Sequence, residues 1–145
     1  MQNATTADAE LILHLYELRT EECMRKARKY VAFEFSPRSI EDVTKLQSSS
    51  GSEENAYYRQ VLSYWEMAAS FVTRGALNVE LFSDSAGELF FLFAKFRPFI
   101  AKIRETNPLF LINMEKVVNL SKENQDRVER MATNIANARA AAAQK

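Results

Sequence analysis

Glycine and proline are the residues that most readily interrupt helices, and this chain has three of each in 145 residues. A barrel or sandwich needs many tight turns, so this scarcity argues against all-β folds and for long helices. The length suits one domain, because two cores of half that size would each be marginal. Hydrophobic residues make up 47% and charged residues 26%, ordinary globular usage rather than disorder. The expected fold is all-α: a helical bundle of five to seven helices with a Phe-rich central helix kinked at a proline. A single helical domain is expected over residues 1–145, with 121–145 as a C-terminal helical extension.

Apolar periodicity predicts one long helix from about Ala7 to Phe35, with Ile12, Tyr16, Cys23, Ala27 and Tyr30 on one face. Within it, Glu21 with Arg25 and Glu22 with Lys26 are i,i+4 pairs in the favourable order. Ser36-Pro37 ends it, because the residue before proline is pushed out of the α region. Ser39 reads as the N-cap of a short helix to Leu46, and the polar stretch from Gln47 to Asn55 as a mobile loop. An aromatic-rich helix follows from Ala56 to Arg74, with Gly75 placed to terminate it. Asn78 can cap a short helix through Phe82, and Ser83 or Asp84 can start the next. That helix, to about Glu105, carries Leu89, Phe90, Phe91, Leu92, Phe93, Phe96 and Phe99 nearly all round, as a buried centre does. Pro98 inside it predicts the kink. Asn107-Pro108 reads as N-cap and first helical residue of a further helix, and Ser121 as the cap of a last one. The alanine-rich end from Ala138 should fray.

Several function classes find no support. Nineteen basic residues balance nineteen acidic ones, so no overall field draws nucleic acid or an anionic membrane. The basic run from Arg25 to Lys29 is offset by Glu21 and Glu22 and reads as a solvated helix face. The apolar run Leu89 to Ala94 is too short to span a bilayer, and the polar N-terminus does not read as a signal peptide. The lone cysteine, Cys23, cannot form an internal disulfide, so the cytoplasm is the expected compartment. On the apolar stripe of its helix, Cys23 is predicted buried and inert. His14 belongs to one His14-Leu-Tyr-Glu17 unit, whereas a dinuclear bundle site needs two; no metal and no cofactor are expected. Gly51, Gly75 and Gly87 stand alone, so no phosphate-cradling loop is present. No nucleophile or acid–base constellation forms, which argues against an enzyme. Seven of the phenylalanines fall between Phe82 and Phe110 and read as core rather than as a ligand pocket.

Two polar features stand out. Glu88, Lys95 and Lys102, spaced by seven, define one edge of the Phe-rich helix. Arg97 and Arg104 lie roughly 200° from it, where a central helix meets packed neighbours and a guanidinium needs partners. On the preceding helix, Arg59, Ser63, Glu66, Ser70 and Thr73 form a narrow polar stripe. Glu66 is predicted to face Arg97 or Arg104, as a structural cluster or as a small-molecule site between helices. In the tail, Ser121, Val128, Ile135 and Ala142 alternate with Val117, Asn124, Met131 and Ala138 as an a/d seam, which predicts a homodimer. The leading functional expectation is a non-catalytic, self-associating interaction or regulatory domain. The alternative is a small-molecule-binding domain using polar space beside Glu66, Arg97 and Arg104.

The strings AELILHLYELRTEECMRKARKYV, YWEMAASFVTRGALNVELF and FAKFRPFIAKIRETNP resemble a group of bacterial helical domains of unknown function. The likeness runs from about Glu10 to Leu120 through Glu66, Arg74-Gly75, Leu81-Phe82, Pro98-Phe99-Ile100, Arg104 and Glu115. It implies an all-helical fold and carries no activity. Some relatives bear an N-terminal membrane helix, a feature this sequence does not show.

Overall fold

A computed structural model describes residues 2–144, which form helices and turns with no strand among them. The order is α1 (Thr6–Thr20), α2 (Glu22–Lys29), a π-turn (Tyr30–Glu34), α3 (Ile40–Ser48), α4 (Glu53–Thr73) and α5 (Val79–Ser85). Then come α6 (Gly87–Phe96), a 3-10 turn (Arg97–Phe99), α7 (Ile100–Ile103), α8 (Ile112–Val118) and α9 (Lys122–Ala143). The all-α bundle is as expected, but its segments outnumber the expected five to seven because two long helices are broken.

The first break is at Glu21. Its backbone is extended, and its carboxylate accepts the N–H groups of Cys23 and Met24, both at 3.0 Å. A side chain expected to pair with Arg25 instead caps a new helix, because two freed N–H groups bind a carboxylate more firmly than an exposed lysine or arginine does. The expected Glu22–Lys26 pair does form, at 3.3 Å. The new helix presents Met24 and Ala27 to the core and leaves Cys23 exposed, so the expected burial of that thiol is overturned. The second break is at Pro98, which follows Arg97 into a 3-10 turn and gives the kink that a missing N–H requires.

Ser39, Asn78 and Ser121 cap as expected, Ser52 caps α4 from within the expected loop, and α6 begins after Ala86 with no side-chain cap rather than at Ser83 or Asp84. Ser39, Ser52, Asn78 and Ser121 each accept an N–H at the start of their helices, and Gly75 closes α4 with φ +80°. The stretch Gln47 to Asn55 is not the free loop expected. Asn55 is buried, and its side-chain amide donates to the carbonyls of Leu46 (2.9 Å) and Gln47 (3.2 Å), tying α3 to α4.

The core gathers around α4 and α6. Helix α4 packs on α2, α3 and α8, while α6 packs on α8 and α9. Tyr58 meets Phe96 edge-on at 5.8 Å, joining the two centres. The C-terminal helix is part of this core. Val128 is buried, Met131 and Ile135 pack against the core, and the side-chain amide of Asn124 donates to the carbonyl of Val117 at 3.0 Å. The Arg127 guanidinium lies 4.5 Å from the Phe90 ring and donates to the carbonyl of Ser83 at 2.8 Å. The seam expected to join two copies therefore rests on the chain's own α6 as far as Ile135.

Candidate functional site

The polar stripe of α4 meets the chain between α7 and α8. Glu66 accepts the main-chain N–H of Asn113 (3.0 Å) and of Met114 (2.9 Å), and the Asn113 side-chain amide at 2.8 Å. Thr73, two turns on, donates to Asn113 Oδ1 at 2.8 Å. Glu66 is thus the cap of α8, supplied by another helix. It is needed because Leu111, in the left-handed region at φ +52°, offers no capping side chain. Asn107-Pro108, expected to start that helix, instead forms a turn closed by the Phe110 N–H on the Asn107 carbonyl at 3.1 Å.

Arg104 holds the same segment from its other side. Its Nε donates to the carbonyl of Phe110 at 2.9 Å, and Nη1 to both oxygens of Glu115 at 3.2 Å. Arg97 points elsewhere and pairs with Glu129 on α9, both largely exposed. The expected contact of Glu66 with Arg97 or Arg104 is therefore not made. Glu66 and Arg104 instead bracket one turn, and Arg97 lies outside the group.

Between α4 and that turn runs an open groove of about 770 Å³. Leu62, Phe110 and Leu111 supply its apolar lining, and Arg59, Glu66 and Asn107 its polar groups. Arg97 and Arg104 are not in its wall. Leu109 belongs to the same wall, with 72% of its surface exposed.

Two residues read as solvent-facing are inside. Glu88 accepts Arg28 Nε at 3.0 Å and Trp65 Nε1 at 2.9 Å, joining α2, α4 and α6. Lys95 is 5% exposed, and its ammonium donates to the carbonyls of Val31, Ala32 and Phe35 at 2.9, 2.8 and 2.7 Å. Burial, with Arg139 nearby, pulls its pKa from the usual 10.5 to about 8. Their seven-residue spacing was a signal of a shared edge, but on a helix apolar all round it could not say which edge faced water. Among the described residues no group of three or more His, Cys, Asp or Glu side chains is placed to hold a metal ion.

A family model described as "Domain of unknown function (DUF4760)" matches residues 4–121. The chain belongs to that family. The DUF4760 unit contains Glu66, Arg97, Arg104 and the groove, while α9 follows it in sequence and packs back upon it. No curated protein and no solved structure gives a significant match. None of the described helices is long and apolar enough to cross a membrane.

Proposed function

We propose that this DUF4760 domain is a non-catalytic interaction module that self-associates through the α4 groove. The observation that carries the reading is Leu109, an exposed apolar knob on the wall of an open groove that Leu62, Phe110 and Leu111 also line. A knob and a hole on one face are self-complementary, so a twofold pair fills both grooves at once. The charged groups of the groove wall support recognition rather than turnover, because Glu66 is committed to capping α8 and Arg59 donates to Asn55 Oδ1 at 3.0 Å. Homodimerisation through the C-terminal helix would have only the alanine-rich end beyond Ile135 to use. The cytoplasm suits such a module, since Cys23 is an exposed free thiol of the kind that a reducing compartment preserves.

A second reading, a small-molecule site in the same groove, is favoured by its volume. About 770 Å³ falls within the roughly 300–1,000 Å³ of such sites. Sedimentation velocity over a range reaching high micromolar concentration separates the two. The interaction reading expects a reversible dimer that Leu109→Glu dissolves, with the thermal unfolding profile unchanged at dilutions where the wild type is also monomeric. A wild-type chain that stays monomeric throughout refutes self-association and leaves the groove to the small-molecule reading.

A further inference from the structure

The chain as a whole is neutral, but one part of its surface is not. A concavity of about 440 Å³ lies among the π-turn, the loop after it, α6 and α9. Among the described residues, Arg38, Lys95 and Arg139 line it, and no carboxylate does. All three N–H bonds of Lys95 end on main-chain carbonyls, which supply dipoles but no countercharge. Arg139 donates through Nη2 to the carbonyl of Pro37 at 2.6 Å, and its Nε is buried without a partner. Arg38 is exposed, and Asp42 accepts its main-chain N–H at 2.9 Å. Ser36 and Asn134 add two neutral polar side chains, and the rest of the wall is apolar. Phe91 lies 5.2 Å from the Lys95 nitrogen, and Phe33 stands 80% exposed beside Ile135.

Like charges gathered in a partly buried cleft repel one another and concentrate counter-ions of the opposite sign. Guanidinium groups match phosphate oxygens in geometry as well as in charge. We propose that this concavity is an anion site for a phosphate group carried on an apolar body, gripped by Arg38 and Arg139 above Lys95. A dianion offsets two of the three charges, which a carboxylate cannot do, while Phe33, Phe91 and Ile135 take the apolar part. Arg139 lies beyond residues 4–121, so the site depends on α9 and not on the family unit alone.

A phosphate beside Lys95 favours its charged form, and among the described residues the only titratable side chains lining the site with it are Arg38 and Arg139. Binding near pH 8, where Lys95 is held, should therefore take up protons.

Calorimetric titration of the full chain with inorganic phosphate and with mono-octyl phosphate, at matched ionic strength, tests the proposal. The expected result is saturable one-to-one binding, tighter for the octyl ester, with proton uptake revealed by changing the buffer. Arg38→Gln, at an exposed position that should not disturb folding, and Arg139→Gln should each weaken it roughly tenfold or more, the loss of a charge-assisted bond. Arg97→Gln, on the exposed pair with Glu129, should leave it unchanged. Cosedimentation with phosphatidylcholine vesicles that contain phosphatidic acid, but not with plain ones, would assign the phosphate to a lipid headgroup. Octyl phosphate binding without vesicle capture would assign it to a soluble ester. No saturable binding of either phosphate, or binding that both arginine variants leave intact, overturns the proposal.

Discussion

Glu66 holds three N–H donors at the start of α8, and each would be stranded if its carboxylate were removed. Glu66→Ala should therefore lower stability by about 2–3 kcal/mol in urea unfolding, the range for bonds to a charged acceptor. Arg97→Gln breaks a solvent-exposed pair and should cost under about 1 kcal/mol in the same measurement. Equal losses would contradict this assignment of roles. Cys23, exposed on α2, should react with a thiol reagent in the native state almost as fast as after unfolding. Strong native protection would put the break at Glu21 in the wrong place. At this scale the chain read along its length was partly informative. The polar stripe containing Glu66 was visible, but its partner was not, because main-chain N–H groups leave no mark in a sequence. Arg104 was assigned to a packed face and does reach partners, the Phe110 carbonyl and Glu115, that the pattern had not named.

Helix α6 shows why facing is harder to read than helicity. Apolar residues on every side made the helix and its kink plain, but the same uniformity hid that Glu88 and Lys95 point inward. Lys95 gives this interior a pH dependence. In the folded chain it loses its proton from about pH 8, and in the unfolded chain only near 10.5, so between those values the unfolded state holds the extra proton. Stability should accordingly rise with pH across that window, by on the order of 3 kcal/mol at most from this group. Tyr58 and Tyr64, whose pKa values burial raises from 10.0 to about 12, act in the opposite sense above pH 10. Urea midpoints that climb between pH 8 and 10 in the wild type, and do not in Lys95→Met, would agree; a wild-type midpoint that falls over that range would not. For α9, the seam of Val128, Met131 and Ile135 predicts a second copy as its cover, whereas the structure packs it on the chain's own α6. Cutting the chain after Leu120 removes those side chains and uncovers Phe90, a loss of roughly 5 kcal/mol or more. Such a chain should lose its near-ultraviolet circular dichroism and its cooperative melt. A truncated chain that melts cooperatively near the wild-type temperature would contradict the packing of α9.

For the molecule as a whole, the fold class and the caps at Ser39, Asn78 and Ser121 followed from composition, periodicity and polar residues before apolar runs, whereas the caps at Glu21, Ser52 and, for α8, Glu66 did not. The groove did not, because it is made by a turn whose shape depends on Glu66, Arg104 and the left-handed Leu111 acting together. The buried and half-buried charges Glu66, Glu88, Lys95 and Arg104 all serve to join segments of the bundle. Cys23 provides a way to ask where two copies meet. It is the only cysteine, it is exposed, and its sulfur lies 3.7 Å from the side-chain oxygen of Gln60, a residue in the groove wall. With a nitroxide label on Cys23, pulsed dipolar spectroscopy at high micromolar concentration should give one narrow intermolecular distance that vanishes in Leu109→Glu. A distance that persists in Leu109→Glu, or the absence of any intermolecular coupling, would contradict self-association through the α4 groove.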